Sequence, residues 1–475
     1  MKNTTYFIVF LGTLFCFGCN SENTISVLEG AEVTRIFTNG SEVAYECILQ
    51  EESTLGKTSK YYLVYGEEKI GPFDKNSKGL STIRVLGWTK NGKHLVFSGK
   101  KDYKWYVYDG SKSMGSFDEL EYFSFSPDSQ SYLFTFTVNN KKSVYYKEKI
   151  IGSYDDIKYV PTWSSDNRGF LYIFKEGGKE FVYTTGKIYG PYDEVSNAEW
   201  KGRSNDILFT TEEEGQAFIH NNNERKGPFR MITGLTPNPK NEKIAYTTWE
   251  GNKWYQYVDE EKTGPFENIF TNFSWSPDGN NFIHFQQIGE KNLIFKDKTK
   301  IGEYDKGLSF FTWSSDSKEV IYNVKIYGEA YLIRGESKIG PFEECYFISW
   351  SHDGSKIAYY SKIKDKYYIF VENDRRGPFD KIQDVTWSPN SKSIALLAKE
   401  GEKFFVLSGD KKMGPYEGIG DIVWGGDSKT LQYLILEKGK IYSKVLLNGE
   451  TITGGICKNK VAYLEGSNKI ILSEL

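Results

Sequence analysis

Ile348-Ser349-Trp350-Ser351-His352-Asp353-Gly354-Ser355-Lys356-Ile357-Ala358-Tyr359-Tyr360, followed by Tyr367-Tyr368-Ile369-Phe370-Val371 and then Gly377-Pro378-Phe379-Asp380, is the stretch that decides the fold. A short apolar run ending in Trp350 meets turn chemistry, with Asp and Gly where a tight reversal needs them. Two runs rich in aromatic and β-branched residues follow, separated by the polar break Lys364-Asp365-Lys366. Pro378 cannot donate to a sheet ladder, so the Gly-Pro-aromatic element belongs on an edge strand. The unit reads as a small antiparallel sheet of three or four strands, with no sustained helical period.

The unit recurs. Gly followed by a small residue, an aromatic and usually an acid begins at Gly71, Gly115, Gly152, Gly190, Gly227, Gly264, Gly302, Gly340, Gly377 and Gly414. The first interval is 44 residues and the others are 37 or 38. About ten residues after each Gly comes a second landmark, as in Phe125-Ser126-Pro127-Asp128, Trp163-Ser164-Ser165-Asp166, Trp275-Ser276-Pro277-Asp278-Gly279, Trp313-Ser314-Ser315-Asp316 and Trp387-Ser388-Pro389-Asn390; Leu235-Thr236-Pro237-Asn238 is a degenerate copy. A fixed period in this range marks an array of equivalent supersecondary units. Small antiparallel sheets hide their faces by stacking radially as propeller blades.

The Trp-Ser-Pro-Asp-Gly element followed by Lys-Ile-Ala-Tyr resembles the TolB-type, WD-like propeller repeat of bacteria, from about residue 33 to the C-terminus. The resemblance implies a propeller used for binding or scaffolding and carries over no catalytic residue. Counting landmarks from Phe37 to Trp424, with Ile456 as a twelfth, the fold class is all-β: a β-propeller array of about 11–12 short antiparallel blades. Typical propellers hold four to eight blades, so the count favours two tandem propellers of about six. The expected division is 33–272 and 273–475, with a soft boundary between 235 and 275, where Pro237 and Pro239 interrupt the pattern. The last unit lacks its Gly-Pro strand. Ile25-Ser26-Val27-Leu28 has strand character and no unit of its own, so it is expected to supply that outer strand and close the array.

The N-terminus carries an address. Tyr6 to Phe15 is apolar and too short to span a bilayer, and Gly18-Cys19 follows it. This resembles the bacterial lipoprotein processing site: residues 1–18 are expected to be a signal peptide, Cys19 the lipidated first residue, and 19–32 a tether with the possible closing strand. Cys16 stands where Leu is usual. Cys47, Cys345 and Cys457 then remain, too few for a disulfide framework, although Cys47 and Cys457 could pair if the termini meet.

Lys plus Arg number 60 and Asp plus Glu 63, spread along the repeats with no concentrated basic block, which argues against nucleic acid as a partner. Aromatics reach 16% of the chain. Most are expected to fill the wedges between blades, as in Tyr103-Lys104-Trp105-Tyr106-Val107-Tyr108, and any subset at a propeller mouth would stack on sugar or grip a peptide. The four His (His94, His220, His284, His352) have no zinc-type spacing, no nucleophile elbow occurs, and Gly418-Ile419-Gly420 reads as a blade turn. No residue is therefore assigned a catalytic, cofactor or metal role, and none of these groups is expected. Specificity is expected in departures from the period, at the insertion 50–58 and at Glu212-Glu213-Glu214-Gly215. The expectation is a non-enzymatic envelope lipoprotein, on the outer membrane or the periplasmic face, that binds a protein or other macromolecule. The alternatives are an envelope glycan- or peptide-processing enzyme and a structural surface protein.

Overall fold

The computed structural model describes residues 23–474 apart from 55, 91, 93, 202–205, 223, 267, 290, 306–309, 458–459 and 467–468. The expected signal peptide and Cys19 lie outside these residues. Among the described residues every regular element is a strand, arranged as ten four-stranded antiparallel sheets and one seven-stranded sheet. In each four-stranded sheet the strands lie side by side in chain order, so each sheet is one blade. The ninth blade, the stretch quoted first above, consists of Glu344–Trp350, Ile357–Ile363, Lys366–Val371 and Asp374–Phe379. The chain is thus an all-β array of β-propeller blades.

The seven-stranded sheet holds the last two blades. Its strand Glu450–Cys457 pairs with the eleventh blade through Glu450–Thr453 and with Lys460–Glu465 through Gly454–Cys457. The twelfth blade is completed by the N-terminus: Asn23–Ser26 lies antiparallel to Lys469–Glu474, with Ile25 opposite Ile470. The strand expected at 25–28 therefore does supply the missing outer strand, shifted two residues toward the N-terminus. Val27 follows it into the core, and the Leu28 amide donates to the Tyr45 hydroxyl at 3.1 Å. Val27, Val33, Ile36, Tyr45, Cys47, Ile470 and Leu472 form one cluster joining first and last blades. The Ile36 amide donates to Ser443 Oγ at 3.0 Å. A Cβ on Gly455 would lie 2.2 Å from the Ile36 carbonyl oxygen, so this approach requires glycine.

The blades fall into two compact units, 23–115 with 383–474, and 116–382. The first contains both chain ends. The stretch 235–275, read from sequence as a soft boundary, lies within the second.

The repeated Gly lies on the outermost strand of its blade, where an edge position was expected. All seven Gly-Pro bonds are cis, from Gly71-Pro72 to Gly414-Pro415. The ladder shifts register there, as between Ala330 and Leu332 opposite Phe342 and Ile339, so the Gly-Pro pair is a bulge that removes its missing donor from the pairing. Gly340 has φ +136°, and a Cβ on it would lie 2.8 Å from the Tyr331 ring and 2.9 Å from the Ala330 carbonyl oxygen.

The bulge aims the following aromatic at the next blade. Tyr192 meets Phe209 at 5.9 Å between ring centroids, Phe229 meets Tyr246 at 6.4 Å, and Phe342 meets Tyr359 at 6.1 Å. Tyr154 and Tyr416 add hydroxyl contacts to Tyr172 (2.9 Å) and Tyr433 (3.1 Å). In these five pairs the partner lies 17 or 18 positions on. Such aromatic pairs contribute roughly 1 kcal/mol each beyond the area they bury.

The acid after the aromatic reaches the same neighbour. Asp155 accepts the Gly177 amide at 2.9 Å, Asp193 the Glu214 amide at 2.9 Å, and Glu343 the Lys364 amide at 2.7 Å, each in the turn between the second and third strands of the following blade. Lys141 and Lys179, on the acids' own blades, hold Asp155 and Asp193 from the other side.

At the opposite turns the buried Ser of the second landmark closes a small loop. Ser351 donates to Asp353 at 2.6 Å and accepts the Lys356 amide at 2.9 Å; Ser126, Ser164, Ser276 and Ser314 repeat the pattern. These turns lace to their neighbours. The Asp128 amide donates to Asn167, the Asp278 amide to Ser317, and the Ser315 hydroxyl to the His352 carbonyl. In the degenerate copy, buried Asn238 takes the place of Ser and its Nδ2 donates to the Gly279 carbonyl at 2.8 Å.

Removing residues 23–28 strips the closing strand and the Val27 contact, and should lower unfolding free energy by at least ~3 kcal/mol with a broadened urea transition; an unchanged transition would contradict the closure. Gly340→Ala should cost ~2–4 kcal/mol. Gly251→Ala, at a turn with open space around it, should cost only ~1 kcal/mol, so chemical denaturation of the pair separates packing from backbone strain.

Candidate functional site

Most residues singled out in the sequence are absorbed by the scaffold. The expected binding insertion at 50–58 is not a loop: the strands Val43–Ser53 and Gly56–Tyr65 continue their pairing out to Ser53 opposite Gly56, making a long hairpin. Glu212 and Glu213 end the strand Ile207–Glu213, and Glu214-Gly215 is the ordinary turn that Asp193 caps. Gly418-Ile419-Gly420 begins the strand Gly418–Trp424 and is not a turn.

The histidines are scattered. His94 pairs with Asp109 at 2.9 Å on the surface, and the His352 carbonyl belongs to a blade turn. His220 is not in a loop: it sits on the strand Gln216–Asn221, stacks on Phe209 at 4.5 Å and bonds Thr211 at 2.9 Å. Burial, then the nearby Arg225 charge, lower its pKa. His284 is buried on its strand, and burial lowers its pKa to about 4. Cys47 and Cys345 are free and buried, with thiol pKa pushed by burial up to about 12. Cys47 thus makes no disulfide; the Cys457 side chain lies outside the described residues. Among the described residues no cluster of three His, Cys, Asp or Glu could hold a metal.

Glu199 stands alone on the innermost strand of the fifth blade, Glu194–Trp200, and burial raises its pKa to about 7.

The feature that escapes the repeat lies between the first two blades. Phe73 packs on Phe97, 24 positions ahead, and Asp74 accepts the Tyr103 amide (2.8 Å) 29 positions ahead. Elsewhere these offsets are 17–18 and 21–22. Seven residues have been added between the blades, and they account for the long first interval of 44.

The segment that carries the seven extra residues, 75–83, is tied down at both ends. The Asp74 amide donates to the Lys100 carbonyl at 2.7 Å, and Thr82 returns its amide and hydroxyl to the Asp74 carbonyl. Asn76 Oδ1 accepts the Lys78 and Leu80 amides and shapes the tip. Beneath it lies Glu46, 1% exposed, which takes Thr34, Arg35 and the Ser81 hydroxyl; Arg35 also donates to the Ile83 carbonyl at 2.8 Å. A buried carboxylate is retained only when fully partnered, and here three donors satisfy it.

Between this segment and the second blade opens a cavity of about 490 Å³ lined by Asp74, Lys75, Asn76, Ser77, Ser81, Thr82, Arg84, Lys100, Tyr103 and Trp105. Arg84 lies over the Trp105 ring at 4.7 Å and Lys100 at 5.7 Å, while Lys75 lies over Tyr61 at 5.7 Å. Three cations therefore face one carboxylate, Asp74, that is already engaged by a backbone amide. Tyr103 is 86% exposed at the rim. These are binding groups: fixed charges, an aromatic face, and small hydroxyl and amide side chains.

No family model and no curated protein matches this sequence. Its structural neighbours are TolB and other β-propeller proteins. TolB from Acinetobacter baumannii is 13% identical over 53% of this chain and 76% of its own, with a TM-score of 0.25. The β-propeller domain of the Trilobed protease from Pyrococcus furiosus is 16% identical over 55% of this chain and 94% of its own, at 0.28. The Dos1 propeller is 10% identical over 75% and 92%, at 0.31. At scores this low the fold assignment rests on the chain's own sheets.

The Glu199 carboxyl supplies a pH test. Its folded pKa lies above the unfolded value, so the protonated form favours folding. Stability is fullest below about 4.5 and falls as pH rises toward 7. The full linkage is ~3 kcal/mol, which partial exposure reduces to ~1–2 kcal/mol. Glu199→Gln should therefore raise Tm at pH 8 and leave it unchanged at pH 4.5; an equal shift at both would show that the charge is not responsible.

Proposed function

We propose that this chain is a binding module of the bacterial cell envelope, held to a membrane by a lipid on Cys19, that presents its blades to a protein or other envelope macromolecule and catalyses no reaction. The observation that carries this reading is the cavity beside the second blade. It arises from a seven-residue departure from the repeat, and it gathers recognition groups on a scaffold where many of the other acids and aromatics serve blade-to-blade contacts. A repeat scaffold that carries an unrepeated polar cavity suits selective binding. The Gly18-Cys19 site and the apolar run before it support the anchor.

A second reading, an envelope enzyme acting on glycan or peptide, draws on Glu199, whose carboxyl is half-protonated near neutrality and could donate a proton. On the first reading, crosslinking in intact cells should capture a specific envelope partner, and Cys19→Ala should move the protein from the membrane to the soluble fraction. Glycan or peptide turnover abolished by Glu199→Gln would replace the first reading with the second. Membrane retention of the Cys19→Ala variant would remove the anchor.

A further inference from the structure

In most of the blades whose turn is described, the turn between the second and third strands has a left-handed residue at its second position. In other blades it is Asn140 (φ 60°), Gly178 (φ 81°), Gly215 (φ 74°), Asn252 (φ 63°), Gly328 (φ 86°) or Asp365 (φ 60°). These residues enter that region at low cost. In the second blade the position is Tyr103, at φ 65°. A bulky aromatic is disfavoured there, and at 86% exposure it returns no burial to the fold. Asp74 pins its amide, so the ring is held at the cavity rim on a fixed backbone. An exposed left-handed Tyr is not by itself a site, since Tyr327 (φ 51°) stands equally exposed in the corresponding turn of the eighth blade; what sets Tyr103 apart is that its ring stands at the rim of a cavity lined by cations.

The cavity says what kind of ligand it suits. Among the described residues, Lys75, Arg84 and Lys100 form no ion pair. Instead each lies over an aromatic ring, which fixes the cations in place while leaving their charge unanswered. The lining between them is Asn76, Ser77, Ser81 and Thr82, without an aliphatic side chain for a peptide residue to enter. Asn76 spends its oxygen on the segment's own amides, and its Nδ2 donor has no partner among the described residues. Cationic anchors, small hydrogen-bonding groups and an exposed aromatic face match a polyhydroxyl ring that bears an acid. A volume of about 490 Å³ holds one or two such rings.

We propose that the cavity between residues 74–84 and the second blade binds an anionic saccharide, with its acid group at Arg84, Lys100 and Lys75 and a sugar ring on Tyr103. This rests on the binding-module reading and names the chemistry of one ligand for it. The segment 75–83 is prebuilt on Glu46 and Thr82, so binding needs no rearrangement of the scaffold.

The test uses the full chain and intrinsic fluorescence or calorimetry with four probes: a galacturonic acid trimer, its fully methyl-esterified form, inorganic phosphate and an oligoglutamate peptide. The acid trimer should bind, more weakly as salt is raised, and the uncharged ester should not. Arg84→Gln and Lys100→Gln should each weaken binding about tenfold. Tyr103→Gly, which relieves the backbone, should weaken binding while leaving Tm equal or higher. Lys403→Gln, on the tenth blade, should change nothing, and unaltered melting curves establish that the cavity variants are folded. Equal binding of acid and ester would overturn the proposal. So would phosphate binding as tightly as the trimer with Tyr103→Gly without effect, since that describes a bare anion site. Tighter binding of oligoglutamate would assign the cavity to an acidic peptide instead. If a crosslinked envelope partner persists when Arg84, Lys100 and Tyr103 are all replaced, the module reading survives and this one falls.

Discussion

The structure depends on a contact each blade makes forward to the next. A four-stranded sheet this small cannot bury either face alone. Its outermost strand must therefore bend toward the neighbour, and the Gly-Pro bulge provides the bend. The aromatic that follows fills the wedge between blades, and the acid after it ties the neighbour's turn. Three consecutive side chains thus set distance, angle and register. On the opposite turns the Ser-Asp loops add a second line of lacing. Within each unit these contacts reach to the adjacent blade, so stability accumulates largely blade by blade; the bond from Ile36 to Ser443, from the first blade to the eleventh, is an exception.

Legibility in the sequence followed the range of the interaction. Blade boundaries, the edge placement of Pro378 and the turn chemistry around Ser351 are local, and they read correctly from residue types and spacing. The outer strand at the N-terminus was readable because Ile470 and Leu472 lacked a partner strand and Ile25 lacked a unit. The capping role of Asp155 or Asp193 was not readable from the residue, since its partner is a backbone amide more than twenty positions ahead. His220 looked like a loop residue because Asn221-Asn222-Asn223 follows it; Phe209, on the adjacent strand, is what holds it in the sheet.

The cavity illustrates a subtler limit. Its signal was present as a single interval of 44 residues among intervals of 37 and 38. What could not be read was the destination of the extra seven residues. That is decided by Glu46 and Arg35, which lie on the first blade and show no departure from ordinary strand composition. The insertion at 50–58 attracted attention for its length and polarity, yet an even extension of two paired strands leaves no concavity. An insertion between blades must cross a gap, and the gap becomes the cavity.

The pairing of Asn23–Ser26 with Lys469–Glu474 has a consequence for biosynthesis. The strand that finishes the twelfth blade precedes its partner by more than 440 positions. Until the partner strand has been made, Asn23–Ser26 has no edge to join, and the face of the first blade that will meet Ile470 and Leu472 remains wet. The closing registration therefore waits until synthesis has passed residue 474, and every blade between must be made before it.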